Sequence, residues 1–280
     1  MNLNYKIRAN KFRAKKSLGQ NFLVDENIID FIANLANADD EILEIGAGLG
    51  FVTERLVQIA KNVVALEIDR EAIKVLKQNL SGYSNFKLIE QDILKTDITK
   101  LPFSSNKIKV IANIPYYITS PILVHLLGEI DDINYPTRNM ISEINLMVQL
   151  EVANRIVATE NSPNKEYGQL SILSQMYSDV EIIKFVPKSA FSPSPKVDSA
   201  IVKFKINNEP KCPIGPLLKK TIKAIFSTRR KNIKNSLKNY GFIEVEKALS
   251  KVGIDVNERG EKLSLDNIYN LSIALGEYNK

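Results

Sequence analysis

Two periods of apolar and polar residues take turns along this chain. Short, near-continuous apolar runs at Glu41 to Ile45, Asn62 to Glu67, Phe86 to Glu90, Lys107 to Ala112 and Ile144 to Val148 predict buried strands. Between them lie segments with helical spacing. Asp25 is a candidate N-cap for a helix placing Ile28, Ile29, Ile32, Leu35 and Ala36 on one face. Phe51 to Ala60 predicts a helix, as does Arg70 to Leu80, with Ala72, Ile73, Leu76 and Leu80 inward. Ile122 to Ile130, Glu151 to Thr159 and Tyr167 to Tyr177 complete the series.

Val180 to Val186 and Val197 to Ile206 predict two more strands, joined by a proline-rich stretch that suits a hairpin at one sheet edge. Strands alternating with helices predict a mostly parallel sheet covered on both faces. Residues 207–216 hold three prolines and a glycine and read as a linker. Only helix-like segments follow, at 217–227, 230–240, 243–252 and 266–276, with Gly241, Gly253 and Gly260 as stops. The expected division is therefore a basic arm over 1–24, an α/β domain over 25–206 and a small all-helical domain over 217–280.

Composition adds little to that picture, but charge changes it. Hydrophobic content of 44% and charged content of 25% are ordinary for a soluble globular protein of 280 residues. No apolar run reaches the ~18 residues of a membrane span, and no secretory signal opens the chain. Cys212 is the single cysteine and His125 the single histidine, so no disulfide and no thiolate–imidazole metal cluster is expected. A cytoplasmic setting follows as the default. Residues 1–24 carry Lys6, Arg8, Lys11, Arg13, Lys15 and Lys16 without an acid, and residues 211–243 carry nine basic residues without one. The remainder is net −9, so two basic blocks sit on an otherwise acidic chain and point to a polyanion partner.

Candidate chemistry gathers at the ends of the predicted strands. Gly46-Ala47-Gly48-Leu49-Gly50 is a glycine turn between strand and helix, able to bring backbone close to a ligand. Glu67 ends the next strand 21 residues after Gly46, where a carboxylate accepts from both ribose hydroxyls of a nucleoside. Phe51 stands where the dinucleotide fingerprint has its last glycine, which disfavours a nicotinamide dinucleotide and leaves an adenosyl cofactor open. Asp92 follows the third strand, either as a helix cap or as an acceptor for an adenine amine. Asn113-Ile114-Pro115-Tyr116 ends the fourth: an amide, a rigid turn and an aromatic face that suit a flat, amine-bearing base, or simply a strand-to-helix turn.

Longer stretches carry a resemblance. Ser17-Leu18-Gly19-Gln20-Asn21-Phe22-Leu23, Glu44 to Gly50, Asn113 to Tyr116, Tyr167 to Ser171, Phe191 to Ser199 and Arg229 to Leu237 are similar to motifs of the S-adenosylmethionine-dependent dimethyltransferases of adenine N6 in small-subunit ribosomal RNA. The resemblance implies a Rossmann-like methyltransferase sheet, mostly parallel with one antiparallel edge strand, plus a small helical C-terminal domain. It implies S-adenosyl-L-methionine held by Asn21, Leu23, Gly46, Glu67, Asp92 and Asn113. The implied target is a pair of adjacent adenosines in the 3′-terminal hairpin loop, within a partly assembled 30S subunit, and the implied enzyme is monomeric.

Asn113 and a backbone carbonyl of its turn are then expected to draw the hydrogens of the target amine. Tyr116 stacks on the base, and by resemblance Phe191 closes the other face. No metal is required. Two rivals are a large-subunit adenine methyltransferase conferring antibiotic resistance and an assembly factor acting mainly by binding; the Arg229 to Leu237 run and the Lys16 to Leu23 form disfavour the first, while intact cofactor and target motifs argue that catalysis is retained without making it the essential role.

Overall fold

The computed structural model describes residues 5–15, 18–164, 166–207, 209–228 and 231–278. By contact the chain divides into two compact units, residues 1–126, 136–153 and 181–206 forming one, and residues 127–135, 154–180 and 207–280 the other.

The first unit opens with α1 (Tyr5–Lys11), β1 (Phe22–Leu23) and α2 (Glu26–Ala33). The Asp25 carboxylate accepts from the N–H groups of Asn27 and Ile28 and so starts α2 as its sequence predicts. Then β2 (Glu41–Ile45), α3 (Thr53–Ile59), β3 (Asn62–Leu66), α4 (Arg70–Leu80), β4 (Phe86–Ile89) and β5 (Ile108–Asn113) alternate. In chain order there follow α5 (Thr119–Leu127), α6 (Pro136–Met140), β6 (Ile141–Gln149), α7 (Leu150–Val157), α8 (Gln169–Met176), β7 (Ser178–Val186), β8 (Phe191–Ser192) and β9 (Ser199–Ile206), of which α8 lies wholly in the second unit.

Seven strands form one sheet in the order β4-β3-β2-β5-β6-β9-β7. Pairs β3–β4, β2–β3, β2–β5 and β5–β6 are parallel; β6–β9 is antiparallel, so the reversal falls close to one edge. Chain order runs one way from β2 to β4 and the other way from β5 to β6. The strand ends of β2 and β5, where Ile45 pairs with Ala112, therefore flank a topological switch point. Open α/β sheets place ligands at such a point. The strands there are almost wholly apolar and buried, as a sheet covered on both faces demands, and Glu44 is a conspicuous exception.

Three local differences from the sequence reading have physical causes. The helix after the Asn113 turn starts at Thr119 rather than Ile122, because Pro121 lies in its first turn, where its missing N–H costs nothing. It ends at Leu127, not Ile130, since Gly128 takes a φ of +80°. The basic arm is not an extended arm throughout. Tyr5 and Ala9 of α1 are buried, Tyr5 against the Phe51 ring at 4.7 Å.

The second unit holds α9 (Leu218–Phe226), α10 (Ile233–Asn239), α11 (Val245–Lys251) and α12 (Leu265–Tyr278), matching the four helical segments expected. Leu218, Ile222, Ile225, Ile233, Leu237, Val245, Leu249, Leu271 and Leu275 are all buried. Tyr167 meets Phe226 edge-on at 5.7 Å. Among the described residues no helix is long and apolar enough to cross a membrane.

Candidate active site

One pocket of the first unit is lined by residues from every strand end singled out in the sequence: Asn21, Gly46, Glu67, Asp92, Asn113 and Tyr116 all border it, as does Leu23. The glycine turn is what lets these ends converge. Gly46 has a φ of +74°, and a Cβ there would lie 3.3 Å from the Asn113 carbonyl oxygen. At Gly50, φ +80°, a Cβ would be strained and would sit 2.8 Å from Leu76 Cδ2 on α4, so glycine lets α4 pack close to the turn.

Glu67 is nearly buried, and its carboxylate is held rigidly by three backbone N–H groups. Gly48 donates to Oε2 at 2.7 Å, and Ile68 and Asp69 donate to Oε1 at 2.8 and 2.9 Å. This clasps the end of β3 to the glycine turn after β2 and fixes the residue at the pocket wall. Asp92 is a cap, one of the two roles the sequence allowed for it, and it also borders the pocket. Its Oδ1 accepts from the Leu94 N–H, capping a short 3₁₀ turn (Ile93–Lys95).

Asn113 ends β5, and its side-chain amide bonds no other described residue. The next side chain to matter, Tyr116, is placed by a 3₁₀ turn (Tyr116–Ile118) that begins after Pro115. Its hydroxyl is 2.8 Å from Ser199 Oγ at the start of β9, and burial pushes the phenol pKa up, with the Ser199 hydrogen bond acting against it. Asn21 donates through Nδ2 to the Gly19 carbonyl at 3.1 Å.

Phe191 stands apart from this wall. It is 4% exposed and pairs with Leu23 in a two-stranded antiparallel sheet, Phe22 pairing with Ser192. Nothing in the local sequence signals that pairing, which joins residues about 170 positions apart.

Three further residues were not singled out in the sequence. Ser199 anchors Tyr116. Asp69, 1% exposed, accepts from Gln20 Nε2 at 2.6 Å and pairs with Lys15. Glu44 is buried at the pocket wall with Oε2 lacking a partner among the described residues. Burial pushes its carboxyl up to about 7, the Thr53 hydroxyl working against this and the Glu67 carboxylate adding to it.

The basic blocks are partly committed within the chain. Arg8 forms a two-point ion pair with Glu54, at 2.8 and 2.5 Å, with its guanidinium 4.8 Å from the Phe51 ring centre. In the second unit Lys219 pairs with Asp131 and Glu129, and Lys234 and Lys238 share Glu246. Arg229 and Arg230, two cations of the expected RNA surface, lie outside the described residues, as do Lys16 and Ser17.

A mostly parallel sheet with a glycine turn, a ribose-type acid one strand further and an uncommitted amide at the switch point define an S-adenosylmethionine-dependent methyltransferase. The fit is good: acceptors for a nucleoside's hydroxyls and amine line one side, and an unpaired buried carboxyl beside them suits a cationic amino-acid tail. The chain belongs to the ribosomal RNA adenine dimethylase family, whose model matches residues 11–277.

It is 38% identical over 278 residues to the ribosomal RNA small subunit methyltransferase A of Clostridium botulinum, covering 97% of this chain and 98% of that protein. To the protein of the same name from Clostridioides difficile it is 41% identical over 276 residues, covering 95% and 92%. Among solved structures, a dimethyladenosine transferase from Plasmodium falciparum matches with a TM-score of 0.69 at 25% identity, over 91% of this chain and 97% of that one. The 23S rRNA methyltransferase ErmE matches at 0.66 and 28%, over 91% and 100%. The chain is an enzyme that methylates ribosomal RNA, and S-adenosylmethionine is its methyl donor.

Proposed function

We propose that this enzyme dimethylates N6 of two adjacent adenosines in the 3′-terminal hairpin loop of small-subunit ribosomal RNA, acting as a cytoplasmic monomer on a partly assembled 30S subunit. The observation that carries this reading is the near full-length likeness, at 38–41% identity, to proteins named for the small subunit. Asn21, Leu23, Gly46, Glu67, Asp92 and Asn113 hold the cofactor, Glu67 taking the ribose hydroxyls and Asp92 the adenine amine. The sheet unit carries the chemistry, and the helical segment over 217–280 contacts RNA.

When bound, the methyl sulfonium supplies an electrophile that needs no further activation. The residues have a different task, because the adenine N6 lone pair is delocalised into the ring. The Asn113 side-chain oxygen and a carbonyl of the Asn-Ile-Pro turn accept the two amine hydrogens for the first transfer and the one remaining for the second, which pyramidalises the nitrogen and frees its lone pair; each transfer releases one N6 proton to solvent. That the Asn113 amide bonds no other described residue supports this role. Tyr116 stacks on the base, held by Ser199, so that positioning supplies most of the acceleration. The target must leave its stack to enter. A part for Phe191 on the other face requires its ring to leave the core position beside Leu23.

The test is transfer of labelled methyl groups to undermethylated small and large subunits, with modified nucleosides mapped by mass spectrometry. Dimethyladenosine at two neighbouring small-subunit positions is the expected result. Label confined to large subunits, or no dimethyladenosine, overturns it.

A further inference from the structure

Asp69 is an unusual helix cap. Asp25, Asp92 and Asp97 also cap helical turns, yet each stays part-exposed or exposed and its carboxylate bonds only residues within three positions. Asp69 caps α4 through the Glu71 N–H at 3.0 Å, but it is 1% exposed and reaches across the sequence as well. Its Oδ2 accepts from Gln20 Nε2 at 2.6 Å, and its Oδ1 pairs with Lys15. A cap needs neither partner, and a buried carboxylate is costly unless fully paired.

The loop carrying those partners is closed on itself. Lys15 N–H donates to Gln20 Oε1 at 2.8 Å, so the Gln20 amide bonds its own loop with one end and Asp69 with the other. On its far side the loop meets the target turn. Gly19 takes a φ of +60°, and a Cβ there would lie 3.3 Å from Pro115 Cβ and 3.4 Å from Tyr117 Cε1. Leu18, Gly19, Gln20 and Asn21 form part of the pocket wall between these two attachments. Asp69 also fixes Glu67, since its N–H donates to Glu67 Oε1 at 2.9 Å.

We propose that Asp69 is a positioning residue for the methyl donor. Through Gln20 and Lys15 it straps the N-terminal loop across the pocket, and through its backbone it holds Glu67 toward the ribose. The inference rests on the reading of this pocket as the S-adenosylmethionine site. The strap closes one wall on the cofactor side and seats it against Pro115 and Tyr117, so it governs cofactor retention and touches neither the transferred methyl nor the target base.

The full-length enzyme tests this. Gln20→Ala and Lys15→Met, both away from the Glu67 carboxylate, are expected to raise the KM for S-adenosylmethionine by roughly tenfold each while kcat at saturating cofactor stays within about twofold. S-adenosylhomocysteine affinity, read by calorimetry, falls in parallel. Gln20→Ala combined with Asp69→Asn costs less than the product of the single effects, because both break one contact. Thermal melting identifies any variant that loses affinity by unfolding, and the two exposed-side variants remain informative where Asp69→Asn does not fold. Glu67→Ala separates the two readings. If it abolishes cofactor binding while Gln20→Ala and Lys15→Met leave KM unchanged, the strap is overturned; if Glu67→Ala itself leaves cofactor affinity intact, the assignment of the pocket falls first.

Discussion

The Tyr116 hydroxyl lies 2.8 Å from Ser199 Oγ, tying the aromatic ring of the turn after β5 to the first residue of an antiparallel strand 83 positions later. The ring is thus oriented by the sheet rather than by its own turn. Tyr116→Phe keeps the stacking face but leaves a buried serine hydroxyl unpaired, at a cost of about 1–2 kcal/mol in stability and a several-fold fall in kcat. Tyr116→Ala removes the platform, with a roughly ten- to hundredfold fall in kcat/KM for the RNA and unchanged affinity for S-adenosylhomocysteine. Steady-state kinetics and calorimetry check the split.

Gly46→Ala brings a methyl group to 3.3 Å from the Asn113 carbonyl in a backbone region that disfavours it. The strain costs about 1–2 kcal/mol, and the Asn113 turn moves. Loss of methyl transfer exceeding the loss of folded protein, measured by labelled transfer alongside circular dichroism, is the expected outcome.

The Glu44 carboxyl, ordinarily titrating near 4.5, is pushed up to about 7 by burial, with the nearby Glu67 charge adding to the shift. Between those two pH values the folded enzyme holds a proton that the unfolded chain has released, so stability falls as pH rises across that window and levels off above it. The loss across the window totals on the order of 3 kcal/mol. Glu44→Gln removes it, so denaturant unfolding of the cofactor-free enzyme at pH 5 and pH 8 separates variant and parent at the higher pH only. An equal slope in both would show that Glu44 is not the group responsible.

Arg8→Ala is expected to lower stability by about 1–2 kcal/mol, because it deletes a two-point pair with Glu54 and a cation over the Phe51 ring. Arg8→Lys restores only part of this, lacking the fork. The affinity for small subunits and its salt slope should stay at the parent values. A shallower slope would return Arg8 to the RNA-facing surface.

Much of the sheet was legible because its signals are local. Apolar runs marked the parallel strands, Asp25 and the spacing of Ala72, Ile73, Leu76 and Leu80 marked helices, and Gly46, Glu67, Asp92 and Asn113 were visible as polar residues at strand ends. What escaped depends on partners far away in sequence. Tyr5 looks like one aromatic among charges until Phe51 covers it. Lys15 and Arg8 read as free cations until Asp69 and Glu54 are placed beside them. Ser199 closes a stretch that carries the family resemblance, but its task is visible only once Tyr116 is placed beside it. A count of charge cannot separate a cation paired within the fold from one that meets phosphate.

The short sheet that joins Phe22 and Leu23 to Ser192 and Phe191 also sets a schedule for biosynthesis. The N-terminal motif leaves the ribosome early, yet its strand partners lie about 170 residues further along. At ~5–20 residues per second, the nascent motif waits on the order of ten to thirty seconds for them. Until then the backbone of Phe22 and Leu23, both at the pocket wall, lacks the strand it pairs with. This part of the wall is thereby finished late in the making of each new molecule, after most of the chain has been synthesised.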